Sequence, residues 1–277
     1  MYDNKLFLFS KNTDAFAAQR GYNYQTIKTL ETWVENYIEG KKDEIYYEFE
    51  EDIFQKDNLK KELKFRQIKL YASGFSFSSE EIKKSIGHFF TLHAKLDYKD
   101  FAKQFIFETN SNINKKYKYN DAELLREWFE NQDNLDAEKL IRFADKIKKI
   151  VREYIDAQSI GTKDKTKLET PIEYFNSLDD KYWMDFTRMI KWRFLSVSAD
   201  AEFEAVKSRI QEKIIRLPFP AQQNGAATFF SVMLEKVFMV VSEKDSEGRK
   251  LNAEILEDTM LNIGSTEDKC YARRLEY

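Results

Sequence analysis

The chain has 277 residues and sets 45 Lys and Arg against 48 Asp and Glu, for a formal net charge of -3, which excludes a globally basic nucleic-acid coat protein. With 42% hydrophobic and 15% aromatic residues and only 8 Gly and 3 Pro, it is a folding sequence with ample core material, not a linker-rich or collagen-like one. Cys270 is the single cysteine, so an internal disulfide and a multi-cysteine zinc site are both ruled out and a reducing compartment is the default.

Single cores stop growing at about 250–300 residues, so the length allows one elaborated domain or two modest ones. The opening residues Met1 to Lys5 lack the basic and apolar regions of a signal peptide. The best apolar run, Val237 to Val241, falls far short of the ~18 residues of a membrane span. The expectation is a cytoplasmic protein with no membrane partner.

In chain order, Asp14 to Glu39 has helical spacing through Ile27, Leu30, Val34, Tyr37 and Ile38, with Thr13 or Asp14 available as a cap and Gly40 as the stop. Ile45 to Phe54 is aromatic and β-branched and predicts one strand; a polar turn at Asp57-Asn58 and a second alternating run, Glu62 to Tyr71, complete a hairpin. A Ser-rich loop over 74–79 leads into a helix opened by Ser79-Glu80-Glu81 and carrying Ile82, Ile86, Phe89, Phe90 and Leu92. Phe101 to Asn110 reads as another strand. The order αββαβ predicts an α/β core over residues 1–120.

From Asp121 helices dominate, so 121–277 is expected to be a helical region packed on that core, for oligomerisation or partner binding. Asp136 to Ile155 is strongly periodic, Gln158 to Lys167 breaks the pattern as a polar connection, and further helices are predicted over Asp179–Phe194, Ala199–Leu217 and Gln222–Val241.

The residues that can carry chemistry cluster on the predicted hairpin. Alternation along one strand would put Glu48, Glu50 and Asp52 on a single face, and Gln67 and Lys69 on one face of its neighbour. Divalent-metal hydrolysis of a phosphodiester needs hard oxygen ligands, which Asp52, the Gln67 side chain and the Ile68 carbonyl can supply. It also needs a cation beside the attacked phosphate, a role that suits Lys69. The same pattern also fits a solvated face held by cross-strand ion pairs.

These segments together resemble a known family. The helix Gln19-Arg20-Gly21-Tyr22-Asn23-Tyr24-Gln25, the strand Glu48 to Ile53, the strand Gln67-Ile68-Lys69, Phe107-Glu108-Thr109-Asn110 and Ile190 to Phe194 are similar to the Cap4-like double-stranded DNA endonuclease domain. That domain is an effector of bacterial antiphage systems, known from cyclic-oligonucleotide signalling (CBASS) and with similar domains in Lamassu-type and NTPase-sensor (Avs) systems. The resemblance implies a restriction-endonuclease-like PD-(D/E)xK fold with a large C-terminal helical extension, Gln replacing the second acid, and Mg²⁺ or Mn²⁺ as cofactor. It implies Asp52 as the metal-binding acid, Gln67 as a second ligand beside the Ile68 carbonyl, Lys69 as the catalytic lysine, Glu48 as a second acid and Gln25 as an auxiliary polar group. Double-stranded DNA is the implied substrate.

No cyclic-nucleotide sensor and no G-x-x-x-x-G-K-[ST] loop is recognisable in these residues, so activation is expected from separate subunits, such as an SMC-like ATPase or another sensor, or from homo-oligomerisation, unless the chain is the nuclease region of a longer protein. A non-catalytic DNA-binding or scaffold subunit, and an RNase on the same core, are the competing readings.

Other residues have weaker signals. His88 and His93, about 140° apart on a helix at 100° per residue, are packing or surface residues and not joint metal ligands. Arg20 can bind phosphate or form a surface ion pair. Lys115, Lys116 and Lys118, interleaved with Tyr117 and Tyr119, suit DNA contact or a solvated loop. Lys146, Lys148, Lys149 and Arg152 form a basic helix face, and Trp128, Trp183 and Trp192 belong to the core.

Overall fold

A computed structural model describes residues 16–115, 120–161, 166–218 and 225–262. Helix α1 (Phe16–Ile38) buries Tyr24, Ile27, Leu30, Trp33 and Val34 at three- and four-residue spacing, and ends just ahead of Gly40, whose φ of 65° closes the last turn. The aromatic run that follows is two strands where one is predicted. β1 (Glu44–Phe49) and β2 (Glu51–Asp57) are antiparallel, and their partners Tyr47↔Ile53 and Phe49↔Glu51 show that the chain reverses at Glu50 alone. Glu48 and Glu50 take positive φ values of 51° and 64°. No Gly, Asn or Pro marks this reversal, which is why alternation reads straight through it.

The turn at Asp57 forms as the sequence predicts: its Oδ1 accepts from the backbone N–H groups of Leu59 and Lys60, both at 2.9 Å. β3 (Glu62–Lys69) returns antiparallel to β2, α2 (Glu80–Ala94) crosses over, and β4 (Ala102–Thr109) lies parallel to β3. Then come α3 (Asp121–Asn131), α4 (Ala137–Gly161), α5 (Thr166–Ser177) and α6 (Asp180–Met189). The polar segment predicted to connect helices over 158–167 is helical at both ends, through Gly161 and from Thr166.

The helix predicted over Asp179–Phe194 stops at Met189. Ile190–Phe194 is a strand, β5, parallel to β4, so the sheet extends beyond the expected 1–120 core. Its Ile-Lys-Trp-Arg-Phe alternation buries Ile190, Trp192 and Phe194. The chain closes with α7 (Ala199–Ile214), α8 (Gly225–Val241) and the short β6 (Lys250–Leu251), which pairs with β1. Among the described residues the strands form one sheet in the order β5-β4-β3-β2-β1-β6. No helix among them is long and apolar enough to cross a membrane.

Helices cover both faces of this mixed α/β sheet. On one face, Tyr46, Phe54, Phe65 and Phe105 sit directly opposite one another across four strands with ring centroids 5.4, 4.8 and 5.2 Å apart, under α2, α4 and α6. Each such pair adds about 0.5–1.5 kcal/mol beyond area burial, so this ladder fixes strand register as well as filling the core. The other face buries Ile45, Tyr47, Ile53 and Ile68 under α1, α7 and α8. Because α1 crosses the ends of β2 and β3, its first turns stand over the residues that the sequence singles out.

Candidate active site

The ladder register Ile53↔Arg66 sets Asp52 across from Gln67 where β2 and β3 separate. There the Asp52 carboxylate gathers the three later residues. Its Oδ2 accepts from Gln67 Nε2 at 2.5 Å and from the Ile68 backbone N–H at 2.6 Å, and lies 3.8 Å from Lys69 Nζ. Asp52 is buried, whereas the Lys69 side chain keeps a quarter of its surface open to the cleft. Gln67 thus presents its amide nitrogen to Asp52. The N–H and C=O of an extended residue project to the same side, so the Ile68 carbonyl also faces the β2 end.

Glu48 reaches this group from the other arm of the one-residue reversal, not by alternation along one strand as predicted. Burial first, and then the negative charge of Asp52, push its pKa up to about 7. Glu48 Oε1 is buried without a hydrogen-bond partner, and so is Oε1 of Gln25, which descends from α1. Both side chains line, with Asp52, Ile68 and Lys69, one open cleft of about 580 Å³. Two orphaned buried oxygens beside a carboxylate are a donor set that a hard divalent cation satisfies, and leaving them unsatisfied is costly. Among the described residues no three His, Cys, Asp or Glu side chains gather to hold a metal, so the fitting set combines Asp52 and Glu48 with amide and backbone oxygens.

The reversal is strapped on several sides. Tyr98 Oη donates to Glu50 Oε1 at 2.7 Å, Lys95 pairs with the same carboxylate, and Arg249 Nη1 donates to the Glu48 carbonyl at 3.1 Å. Glu51, fully buried, meets His88 Nδ1 at 2.9 Å. These contacts hold two non-glycine residues in the left-handed region next to the catalytic candidates.

Behind the cleft lies a buried charge network that the sequence reading missed. Arg66 Nη2 donates to Glu108 Oε2 at 2.7 Å and its Nη1 to Thr32 at 2.6 Å, while Lys28 bridges Glu108 at 2.8 Å and Glu31 at 2.7 Å. Arg209 of α7 completes it through Glu31 at 2.7 Å and Glu202 at 3.0 Å. Burial opposes ionisation of Glu108, but the charges of Arg66 and Lys28 outweigh it and hold the carboxyl well below the usual range. No local signal marks the network: Arg66 falls on the opposite strand face from Leu63 and Phe65, with Glu62 and Lys64, so it reads as a solvated charge.

The remaining sequence candidates lie elsewhere. Arg20 pairs with Asp200 of α7. Lys115 is exposed, and Lys116 and Lys118 fall outside the described residues. Three members of the basic α4 face are engaged within the chain, Lys146 with Asp121 at 2.6 Å, Lys148 with Asp180 at 3.7 Å and Arg152 with Asp156 at 3.1 Å. His93 packs against the Phe186 ring at 5.2 Å, and burial lowers its pKa to about 4. Trp128, Trp183 and Trp192 are core residues, as expected.

Comparison with curated proteins gives no match. Among solved structures, the chain matches the Acinetobacter baumannii Cap4 SAVED/CARF-domain containing receptor with the cyclic trinucleotide 3'3'3'-cAAA, at 13% identity and a TM-score of 0.47, over 86% of this chain and 44% of that one. The chain therefore spans less than half the length of that receptor. A family model described as Cap4, dsDNA endonuclease domain, matches residues 16–178, a stretch that contains Gln25, Glu48, Asp52, Gln67, Ile68 and Lys69. The chain belongs to the Cap4 double-stranded DNA endonuclease domain family.

Proposed function

We propose that the protein is a metal-dependent endonuclease effector of bacterial antiphage defence that hydrolyses phosphodiester bonds of double-stranded DNA on a PD-(D/E)xK-type site. The observation that carries this reading is the convergence of Gln67, Ile68 and Lys69 on the Asp52 carboxylate, inside a cleft holding two unsatisfied buried oxygens. Asp52, Gln67 and the Ile68 carbonyl, with Glu48 beside them, would hold Mg²⁺ or Mn²⁺. When bound, the ion supplies Lewis-acid polarisation of the phosphate and lowers the pKa of a water.

The chain's own groups do the rest. Lys69 sets its ammonium next to the scissile phosphate and stabilises the charge that develops as the water oxygen bonds to phosphorus and the leaving oxygen departs. Gln25 offers an unpaired amide oxygen to orient that water. Gln67, through its hydrogen bond to Asp52, keeps the carboxylate aimed into the cleft. Restraint of the nuclease comes from assembly: two sites must be placed on opposite strands, so homo-oligomerisation or release by separate sensor subunits, an SMC-like ATPase among the candidates, switches cleavage on.

The test is degradation of plasmid DNA by the full chain with its partners, in Mg²⁺ or Mn²⁺ and again in EDTA, beside an RNA substrate of equal length. The proposal expects metal-dependent loss of DNA. Binding without cleavage would make the chain a scaffold, and preferential loss of RNA would make it an RNase.

A further inference from the structure

Ala18, Gly21, Tyr22 and Gln25 follow the i, i+3, i+4, i+7 spacing of one helix face, and all four line the cleft that contains Asp52 and Lys69. Gly21 is out of place there on local grounds. After proline, glycine is the least favourable residue in a helix interior, and this one sits inside α1. The backbone does not require it, because among the described glycines only Gly40 has a positive φ. Packing does not require it either, since a Cβ added at Gly21 would meet no atom within 4 Å. What remains is open space on the cleft side of the helix. Below it, Gln25 is 9% exposed and its Oε1 lacks a partner, so the same face leads from clearance at the mouth to an unsatisfied acceptor at the floor. Tyr22, 56% exposed, and Tyr71, 36% exposed, flank the opening.

We infer that Gly21 is a specificity-determining residue whose missing side chain lets the sugar–phosphate backbone of a DNA duplex lie against α1 and bring a phosphate to Lys69. Duplex DNA is stiff, with a persistence length of about 50 nm, so bending it around an obstruction at the mouth of a cleft costs free energy that an open path does not. Tyr22 is placed to contact the sugar edge as the backbone passes. The inference rests on the nuclease reading above and specifies how the substrate enters that site.

The experiment compares the wild-type full chain and its partners with Gly21→Trp and Gly21→Ala in three measurements: plasmid cleavage, Mn²⁺ binding by calorimetry and thermal melting. Because a Cβ has room at Gly21, Gly21→Ala is expected to fold and to melt above wild type, and the melting curve of Gly21→Trp checks that the larger side chain is accommodated as well. Gly21→Trp is expected to cleave duplex DNA about 100-fold or more slowly while its Mn²⁺ affinity and melting temperature stay at the wild-type values, as expected when the reacting groups are kept apart. Wild-type cleavage by Gly21→Trp would overturn the inference and leave the nuclease reading standing. Loss of Mn²⁺ binding together with cleavage would also overturn it, since the residue would then act on the metal centre. A wild-type protein that neither binds Mn²⁺ nor cleaves DNA would remove the nuclease reading itself.

Discussion

Asp52 accepts two hydrogen bonds through one oxygen, and in the proposed site its carboxylate would hold the cation. Asp52→Ala should remove divalent-metal binding, measured by calorimetry, and plasmid degradation with it. Glu48 gives a separate pH signature in metal-free protein. Its pKa rises on folding from 4.5 to about 7, chiefly through burial, so its contribution to stability is complete below the lower value and is lost as pH rises through the upper one. Glu48→Gln should therefore melt above wild type at about pH 8, by roughly 1–2 kcal/mol after allowance for solvent screening, with the gap closing at about pH 4. Equal melting at both pH values would show that burial does not perturb Glu48.

At this scale the sequence was most legible where chemistry demands particular residue types. Gln67-Ile68-Lys69 and Asp52 could be named from their spacing and from the family resemblance. Lys28, Glu31, Arg66 and Glu108 look like ordinary charges until the fold brings α1, β3 and β4 together, since their meaning lies in contacts that no local pattern encodes.

Elements show the reverse difficulty. Ile45 to Phe54 has the composition of one strand, and the reversal inside it is imposed by Lys95, Tyr98, His88 and Arg249, which lie 38 or more positions further along the chain than Glu50. Tertiary contacts override local preference at Glu50. Tyr98→Phe should therefore loosen the reversal and weaken metal binding while costing about 1 kcal/mol of stability, the usual worth of one hydrogen bond. Calorimetric metal titration alongside denaturant unfolding would separate the two effects.

Across β3, β4 and α1, Glu108→Ala should cost about 3–5 kcal/mol in urea unfolding, because Arg66 and Lys28 would remain buried without their acid. An undiminished unfolding midpoint would mean that water reaches the network. β5 was legible in principle, because Ile190, Trp192 and Phe194 alternate with Lys191 and Arg193. Five residues attached to the amphipathic α6 read as its continuation when only apolar spacing is followed.

For the whole molecule, a net charge of -3 places any attraction to DNA in local groups such as Lys69, and several other candidate cations are committed to intrachain pairs. A single chain should bind duplex DNA weakly and with strong salt dependence, about -0.9 in the log–log slope per phosphate neutralised, and assembly should strengthen binding by multivalency. Anisotropy titrations at several salt concentrations and protein concentrations would reveal both; tight, salt-insensitive binding by a dilute monomer would oppose them.

The central claim is that the chain cuts DNA with Lys69 beside a metal held at Asp52. Its most direct test is the rate of plasmid degradation by activated full-length protein in Mg²⁺, wild type beside Lys69→Ala, with melting temperatures measured on the same samples. The account predicts rapid degradation by wild type, none in EDTA, and none by Lys69→Ala at an unchanged melting temperature. Degradation by Lys69→Ala at the wild-type rate would contradict it.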